Sequence, residues 1–266
     1  MNIGKSASQI VDKLSHNLPQ SVLLSAPKGI ALDDIVRQIV PEKPIFIRPD
    51  ESRATPIIPT EVIRDLYYIT KSHYSSRRII VIDRADTMNP SAQAAFLKLL
   101  EEPGKNVYFI LLTSRPNRLL PTIRSRVQIF NIEPMSEAES RDFIASKGVN
   151  DSRKVEQLMY LASGMSEELE KLIDDPKYFE EVAAVVKDAQ SIVSGGGYEG
   201  LMIAHKYKDN RTGAVRLTEL AIAMVRKLIS SKPDTALVDR LEQLVTAHDR
   251  ILANGNIRLV LAKLMV

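Results

Sequence analysis

The chain has 266 residues, of which 44% are hydrophobic and 26% are charged, values typical of a globular protein of two or three domains. A net charge of +3 permits contact with nucleic acid without requiring it. The absence of cysteine excludes disulfides, thiolate zinc sites and a cysteine nucleophile, and the four histidines lack the spacing of metal ligands. No stretch approaches the roughly 18 apolar residues of a membrane span, and the N-terminus has no long apolar core, so we expect a cytoplasmic protein.

The first half of the chain alternates short apolar runs with helical patterns. The runs are SVLLS (21–25), PIFIR (44–48), RIIVID (78–83), VYFILLTS (107–114) and VQIFNI (127–132). Continuous apolar runs bounded by glycine, proline or charge are typical of strands buried on both faces of a parallel sheet. The alternation predicts an α/β domain over residues 1–134.

One helix between these runs has well-defined ends. Asn89 and Pro90 form a good N-cap and first-turn pair, and the helix should stop at Pro103. Phe96 and Leu99 share one face, which we expect to pack on the sheet.

From Ser136 onward the strand patterns stop. The sequence SEAE is a capping box that opens a helix, and a small helical domain is predicted over 135–175. A third, wholly helical segment is predicted over 176–266. The glycine-rich SGGGYEG (194–200) should form a flexible break between its first two helices, and NGN (254–256) interrupts the last helical pattern.

The segment SAPKGIALDD lies between the first strand and the next helix, where a phosphate-binding loop is expected. Such a loop follows G-x-x-x-x-G-K-[ST], in which backbone N–H groups cradle phosphates, the lysine neutralises them and the hydroxyl binds Mg²⁺. Reading from Ala26, the glycine, lysine and hydroxyl places hold Ala31, Leu32 and Asp33, and only Gly29 remains within the loop. A carboxylate suits a helix N-terminus but repels a triphosphate.

The third strand ends in VIDRAD, which is similar to the second phosphate-site motif of P-loop proteins. Asp83 occupies the place of the Mg²⁺ ligand, but Arg84 stands where a second acid would polarise the attacking water. Arginine cannot accept a proton near neutral pH. Taken alone, Asp83 is equally consistent with an ordinary carboxylate at the end of a strand.

Three longer segments carry a family resemblance: AFLKLLEEP, LLPTIRSR and the terminal NGNIRLVLAKL. All three resemble bacterial clamp-loader subunits of DNA polymerase III, which are AAA+ proteins related to gamma/tau, and the delta-prime type best. The resemblance implies an AAA+ α/β domain with a degenerate phosphate loop (1–134), a helical lid (135–175) and a helical collar for oligomerisation (176–266). It implies no bound nucleotide cofactor.

The sequence RSRV matches the family's Ser-Arg-Cys motif, with Val127 in place of the cysteine. The resemblance implies an arginine that reaches the ATP of a neighbouring subunit in trans. Arg126 is the first candidate, Arg124 the second, and Ser125 lies between them. Outside this family context, the same residues would be two surface arginines ahead of a strand.

Other parts of the family pattern are altered. The position that senses the γ-phosphate falls on either Thr113 or Asn117, and the Gly-x-x-Arg sensor falls on Gly164 and Glu167, so its arginine is absent. Many relatives carry a four-cysteine zinc knuckle, but the corresponding stretch (41–77) is short and cysteine-free. It is predicted to be a loop leading into a helix, and no structural metal is expected.

The resemblance therefore implies an ATPase-inactive subunit. It would assemble with gamma/tau-type and delta-type subunits to load a sliding clamp onto primed DNA, and would donate an arginine in trans. Two alternatives stay open: an active AAA+ ATPase of the gamma/tau type, and a DNA-repair adaptor outside replication.

Overall fold

The computed structural model describes residues 3–52, 56–71, 76–194, 197–231 and 234–264. The chain divides into two compact units, Met1–Glu170 and Lys171–Val266. Within these ranges, the strands lie in the first unit and the second unit is helical. The three predicted domains, with boundaries near residues 134 and 175, stay a prediction.

A five-stranded sheet forms the centre of the first unit. Its strands are β1 (Ser21–Ser25), β2 (Ile45–Ile47), β3 (Arg78–Ile82), β4 (Val107–Thr113) and β5 (Gln128–Asn131). All neighbours are parallel, in the order β2-β3-β4-β1-β5. Each predicted apolar run contains one strand, and the predicted α/β fold with a parallel sheet is confirmed.

Eight helices begin in the described ranges of this unit. They are α1 (Lys5–His16), α2 (Leu32–Ile39), α3 (Thr60–Lys71), α4 (Pro90–Glu101), α5 (Pro121–Arg124), α6 (Glu137–Ser146), α7 (Ser152–Ala162) and α8 (Ser166–Asp174). Two 3₁₀ turns, Ala85–Thr87 and Pro116–Arg118, follow β3 and β4. The predicted helix after the cysteine-free loop is α3.

The central strands β1, β3 and β4 are buried on both faces, as their continuous apolar runs predict, whereas the edge strand β5 is largely exposed and β2 is half-buried. Strand β3 shows the reason, because successive side chains point to opposite faces. Ile79 and Val81 pack in the core that includes α1 and α2, whereas Ile80 and Ile82 pack in the core that includes α3 and α4. The helices thus hold the sheet from both sides and leave its carboxyl edge to carry polar groups.

The two predicted helix starts are confirmed by their hydrogen bonds. The Oδ1 atom of Asn89 accepts from the N–H of Ala92 at 2.6 Å, which caps α4. Ser136 and Glu139 form the capping box of α6, and Glu139 also accepts from the N–H of Lys5 at 2.6 Å. Hydrogen bonds from the hydroxyl and backbone of Ser136, together with that from Lys5, lower the pKa of the Glu139 carboxyl to about 2.

The second unit is a helical bundle. Its helices after the end of α8 are α9 (Pro176–Val193), α10 (Gly197–Lys206), α11 (Arg211–Ser231), α12 (Thr235–Leu252) and α13 (Ile257–Lys263). The predicted interruption at NGN separates α12 from α13, with Asn254 at a φ of 64° and Asn256 capping α13. The predicted break at 194–200 is too long, because α10 begins at Gly197; residues 195–196 lie outside the described residues.

Candidate functional site

Three chain segments meet at the carboxyl edge of the sheet: the loop between β1 and α2, the turn after β3, and the end of β4. The register pairs Ser25 with Thr113, so β1 and β4 end side by side. Asp83 follows β3 directly, and its N–H donates to the carbonyl of Ile47 at the end of β2. The predicted phosphate-site residues therefore lie at one edge, which is where ligands bind in open α/β sheets.

Backbone N–H groups of the loop after β1 donate hydrogen bonds to other atoms of the protein. The N–H of Leu32 donates to the carbonyl of Ile30 at 2.9 Å, and the N–H of Ala31 donates to the Oγ of Ser166 at 3.3 Å. In a working phosphate loop such donors point at the phosphates. Both donors are satisfied here by protein atoms.

Helix α8 begins directly against this loop. The carbonyl of Gly29 accepts from the N–H groups of Glu167 and Glu168, at 2.9 and 3.2 Å, and so caps the first turn of α8. Gly29 has a φ of +95°, and a Cβ added there would lie 3.2 Å from the Cβ of Met165. The glycine is therefore required for both its left-handed backbone and the close approach of α8.

The residues predicted to match the Gly-x-x-Arg sensor lie at this contact. Gly164 precedes α8, and Glu167 contributes a backbone N–H to Gly29. In place of a side chain aimed at phosphate, α8 presents backbone donors and the hydroxyl of Ser166 to the loop. Sequence reasoning missed Ser166, which is buried and 135 residues from its partner.

Asp33 and Asp83 are brought together by an arginine that sequence reasoning also missed. The Nη2 atom of Arg48 lies 2.6 Å from Oδ2 of Asp33, and its Nε atom lies 3.5 Å from Oδ2 of Asp83. Burial raises the pKa of the Asp83 carboxyl, and the Asp33 carboxylate raises it further, while Arg84 and Arg48 oppose both effects. Arg84 has a φ of 48° and forms an ion pair with Glu51.

Thr113 belongs to a buried polar cluster. Its hydroxyl donates to Oδ1 of Asp86 at 2.7 Å and accepts from the N–H of Arg115 at 2.9 Å. The Nε of Arg115 donates to Oδ2 of Asp86 at 3.0 Å, and the Asp86 side chain is only 2% exposed. Of the two sensor candidates, Thr113 lies at the sheet edge, whereas Asn117 lies in the following 3₁₀ turn.

Arg124 is the last residue of the short helix α5 and Arg126 follows it, and both are held by surface contacts. Arg126 forms an ion pair with Glu101 at 2.9 Å and donates to the carbonyl of Thr122 at 3.1 Å. Arg124 donates to Oδ1 of Asn117 at 2.7 Å. The Arg126 side chain is 40% exposed.

Val127 and Ser125 complete this segment. Val127 is buried in the core with α3 and α4, so the residue in the family's cysteine place packs as an apolar side chain. The Oγ of Ser125 donates to the carbonyl of Thr122 at 3.1 Å.

A buried glutamine fixes the chain just before this segment. Gln93 on α4 donates through Nε2 to the carbonyls of Met88 and Arg118, at 3.1 and 3.2 Å, and accepts through Oε1 from the N–H of Leu120 at 2.8 Å. It is 5% exposed and joins α4 to the backbone that enters α5. A polar residue on the otherwise apolar face of the predicted helix was the signal that could have identified it.

Some leucines of the second unit lie in its core and others lie at its surface. Leu244 and Leu261 are fully buried, and Leu241 is partly buried against the same core. Leu252 and Leu259 are 51% and 69% exposed. The leucines of the C-terminal helices thus include side chains that face away from the unit's own core.

The described ranges contain neither a metal-binding cluster nor a membrane-spanning helix. No group of three or more His, Cys, Asp or Glu side chains in that part of the chain could hold a metal ion. No helix in the same ranges is long and apolar enough to cross a membrane.

Comparison with known proteins gives matches to subunits of DNA polymerase III. A family model described as DNA polymerase III, delta subunit matches residues 38–136. That range includes Arg48, Asp83 and the RSR segment, whereas the altered phosphate loop lies before it.

Two relatives are subunits called delta′. That of Pseudomonas aeruginosa is 35% identical over 83 residues, which are 30% of this chain and 25% of the relative. That of Bacillus subtilis is 31% identical over 113 residues, which are 42% of this chain and 34% of the relative. The chain thus matches about a quarter to a third of the length of these relatives.

Two further matches are to gamma-type proteins. The DNA polymerase III subunit gamma of Buchnera aphidicola is 32% identical over 127 residues, 47% of this chain and 31% of the relative. A solved DNA polymerase III gamma subunit-related protein of Thermotoga maritima superposes with a TM-score of 0.57 over 98% of this chain and 97% of its own, at 16% identity. At that identity the superposition supports the fold alone.

The family model and the delta′ relatives agree with the motifs read from the sequence. They confirm that this chain is similar to clamp-loader subunits of DNA polymerase III of the delta-prime type.

Proposed function

We propose that the chain is a delta-prime-like clamp-loader subunit that does not hydrolyse ATP. The observation that carries this proposal is the state of the phosphate loop. The N–H groups of Ala31 and Leu32 donate to protein atoms, and the lysine and hydroxyl places hold Leu32 and Asp33. A triphosphate would have to displace internal hydrogen bonds and then meet a carboxylate.

Arg126 is proposed as the arginine donated in trans to ATP in a neighbouring subunit, with Ser125 and Arg124 adjacent. Its guanidinium is at the surface, and its partner Glu101 is also exposed. Exposed ion pairs contribute roughly 0–1 kcal/mol, so exchanging Glu101 for a phosphate has little cost. An arginine supplied in trans accelerates phosphoryl transfer by about 10³–10⁵ in well-studied NTPases.

The proposed partners are gamma/tau-type and delta-type subunits, with a sliding clamp and primed DNA as partners of the whole complex. The matches to delta′ and gamma subunits support this choice. We further propose that residues 176–266 form the collar through which the chain assembles. Leu252 and Leu259 supply exposed apolar side chains that such a contact would bury.

Reconstitution tests the proposal. The chain is mixed with gamma/tau-type and delta-type subunits from the same source, and the complex is isolated by size-exclusion chromatography. The double variant Leu252→Ser, Leu259→Ser should fail to join it, whereas Ile129→Ser, exposed in the first unit, should join normally. Normal assembly of the double variant would reject the collar assignment.

An active ATPase of the gamma type is the second candidate function. It is favoured by the match to the gamma subunit, which covers more of this chain than the two delta′ matches do. ATP turnover by the isolated chain that disappears in Asp83→Asn would establish this function. No turnover in the isolated chain, with turnover in the complex that depends on Arg126, would reject it.

A further inference from the structure

Arg48 contacts two carboxylates, each of which stands at a position that binds Mg²⁺ in a working phosphate site. Asp33 stands at the hydroxyl place that binds Mg²⁺ in a working loop, and Asp83 stands at the place of the second motif's Mg²⁺ ligand. The guanidinium contacts one oxygen of each, at 2.6 Å from Asp33 and 3.5 Å from Asp83. It also lies over the ring of Phe46, 4.5 Å from the centroid.

These carboxylates require positive charge nearby. The Asp83 side chain is 21% exposed and that of Asp33 is 34% exposed, so water screens them only in part. Two negative groups in a partly buried site destabilise each other unless a cation or a proton is shared between them. Arg84 pairs with Glu51, whereas Arg48 contacts both acids.

We infer that the Arg48 guanidinium is a built-in cation, which occupies the place between Asp33 and Asp83 where a hydrated divalent ion would otherwise bind. Mg²⁺ commonly binds through one or two carboxylates and several waters, so this pair supplies enough protein ligands. A guanidinium is always charged near neutral pH and presents several donors in one plane, so it can serve two carboxylates at once. The guanidinium therefore offsets part of the carboxylate charge without metal, and it occupies the place that a metal ion would need.

The inference goes beyond the proposed function, because it concerns whether the isolated chain binds a divalent metal ion. It predicts that removal of Arg48 creates a cation site. Arg48→Met is titrated with Mn²⁺, and the free ion is measured by electron paramagnetic resonance. The titration should show one site with a dissociation constant of roughly 10⁻³ M, the weak end of protein cation sites. The wild-type chain should show no such site.

Matched variants separate this explanation from general charge effects. Arg37→Met removes a nearby arginine that pairs with Asp34 at 3.8 Å, and should leave the chain unable to bind Mn²⁺. Arg48→Lys keeps a positive charge and should also bind none. Adding Asp83→Asn to Arg48→Met should abolish the new site.

Thermal unfolding supplies an independent readout. Binding to the folded state alone should raise the Tm of Arg48→Met by about 3 °C at saturating Mg²⁺, with no rise for wild type. Arg48→Gln is measured in parallel, so that a folding failure of one variant leaves the other to decide. Mn²⁺ binding by the wild-type chain, or its absence in every folded neutral variant at position 48, would overturn the inference.

Discussion

The phosphate loop and the RSR segment lie in the same unit but hold their polar groups in opposite ways. In the loop, backbone donors and acceptors are bonded to a buried serine and to the first turn of α8. In the RSR segment, Arg124 and Arg126 are held by exposed partners at the surface. Groups bonded inside the protein are costly to redirect, whereas surface ion pairs exchange readily. In the proposed function, the first arrangement closes the chain's own site and the second keeps an arginine available to a neighbour.

The largest expected effect tests the role of Arg126 as the arginine donated to a neighbouring subunit. Arg126→Ala should leave assembly intact and lower ATP turnover at the one neighbouring site by about 10³-fold or more, because that site loses charge stabilisation at the γ-phosphate. Turnover by the whole complex should fall only in part, since the other sites keep their arginines. DNA-dependent ATP hydrolysis and clamp loading are the measurements.

Arg124→Ala is the internal control for that experiment. Its side chain is held by Asn117, and we expect the turnover of the complex to stay near the wild-type rate. Unchanged turnover and clamp loading with Arg126→Ala in a normally assembled complex would show that the arginine assignment is wrong.

The next effect tests what positions the RSR segment. Gln93→Ala should lower the free energy of unfolding by about 3 kcal/mol, because it leaves two carbonyls and one N–H without their buried partner. Chemical denaturation measures this change. Gln38→Ala, on the exposed face of α2, is the control and should cost roughly 0.5 kcal/mol or less. Equal losses for the two variants would refute the role given to Gln93.

A smaller effect tests the contact between the loop and α8. Gly29→Ala places a Cβ on a left-handed backbone and 3.2 Å from the Cβ of Met165. It should lower the free energy of unfolding by about 2 kcal/mol. Gly148→Ala has a similar φ of +81° but no atom within 4 Å of the added Cβ, so it should cost only the backbone part, about 1 kcal/mol. The difference between their unfolding free energies isolates the contact with α8, and a difference of zero would argue against it.

The smallest effect depends on pH. The folded-state pKa of Glu139 is about 2, below its ordinary value of 4.5, so its ionised form stabilises the fold above pH 4.5. That contribution, about 1 kcal/mol after allowance for solvent screening, is lost as the pH falls from 4.5 through 2. Unfolding measured across this window should show a shallower pH dependence in Glu139→Gln. An identical dependence in both proteins would contradict the assignment.

Much of the fold could be predicted because it depends on local pattern. The apolar runs fixed the strands of the sheet, and the caps at Asn89 and Ser136 need only residues within one turn. Leu32 and Asp33 could be recognised as alterations from their identity alone.

The contacts that complete the site could not be predicted, because they join distant parts of the chain. Arg48 meets Asp33 and Asp83 only because β2 lies beside β3 and both end near the loop after β1. Ser166 reaches the loop only through the packing of α8. Likewise, the helical pattern did not separate the buried Leu244 from the exposed Leu252, since that depends on which neighbours cover each face.

The central claim is that the phosphate loop of this chain is closed to nucleotide by its own hydrogen bonds as well as by its altered residues. Calorimetric titration of the isolated chain with Mg²⁺-ATP tests it, with Leu32→Lys measured beside the wild type. We expect no saturable heat from either protein, because the lysine restores a charge but leaves the N–H groups of Ala31 and Leu32 bonded within the chain. Micromolar binding of ATP by the wild-type chain, or by Leu32→Lys alone, would contradict the account.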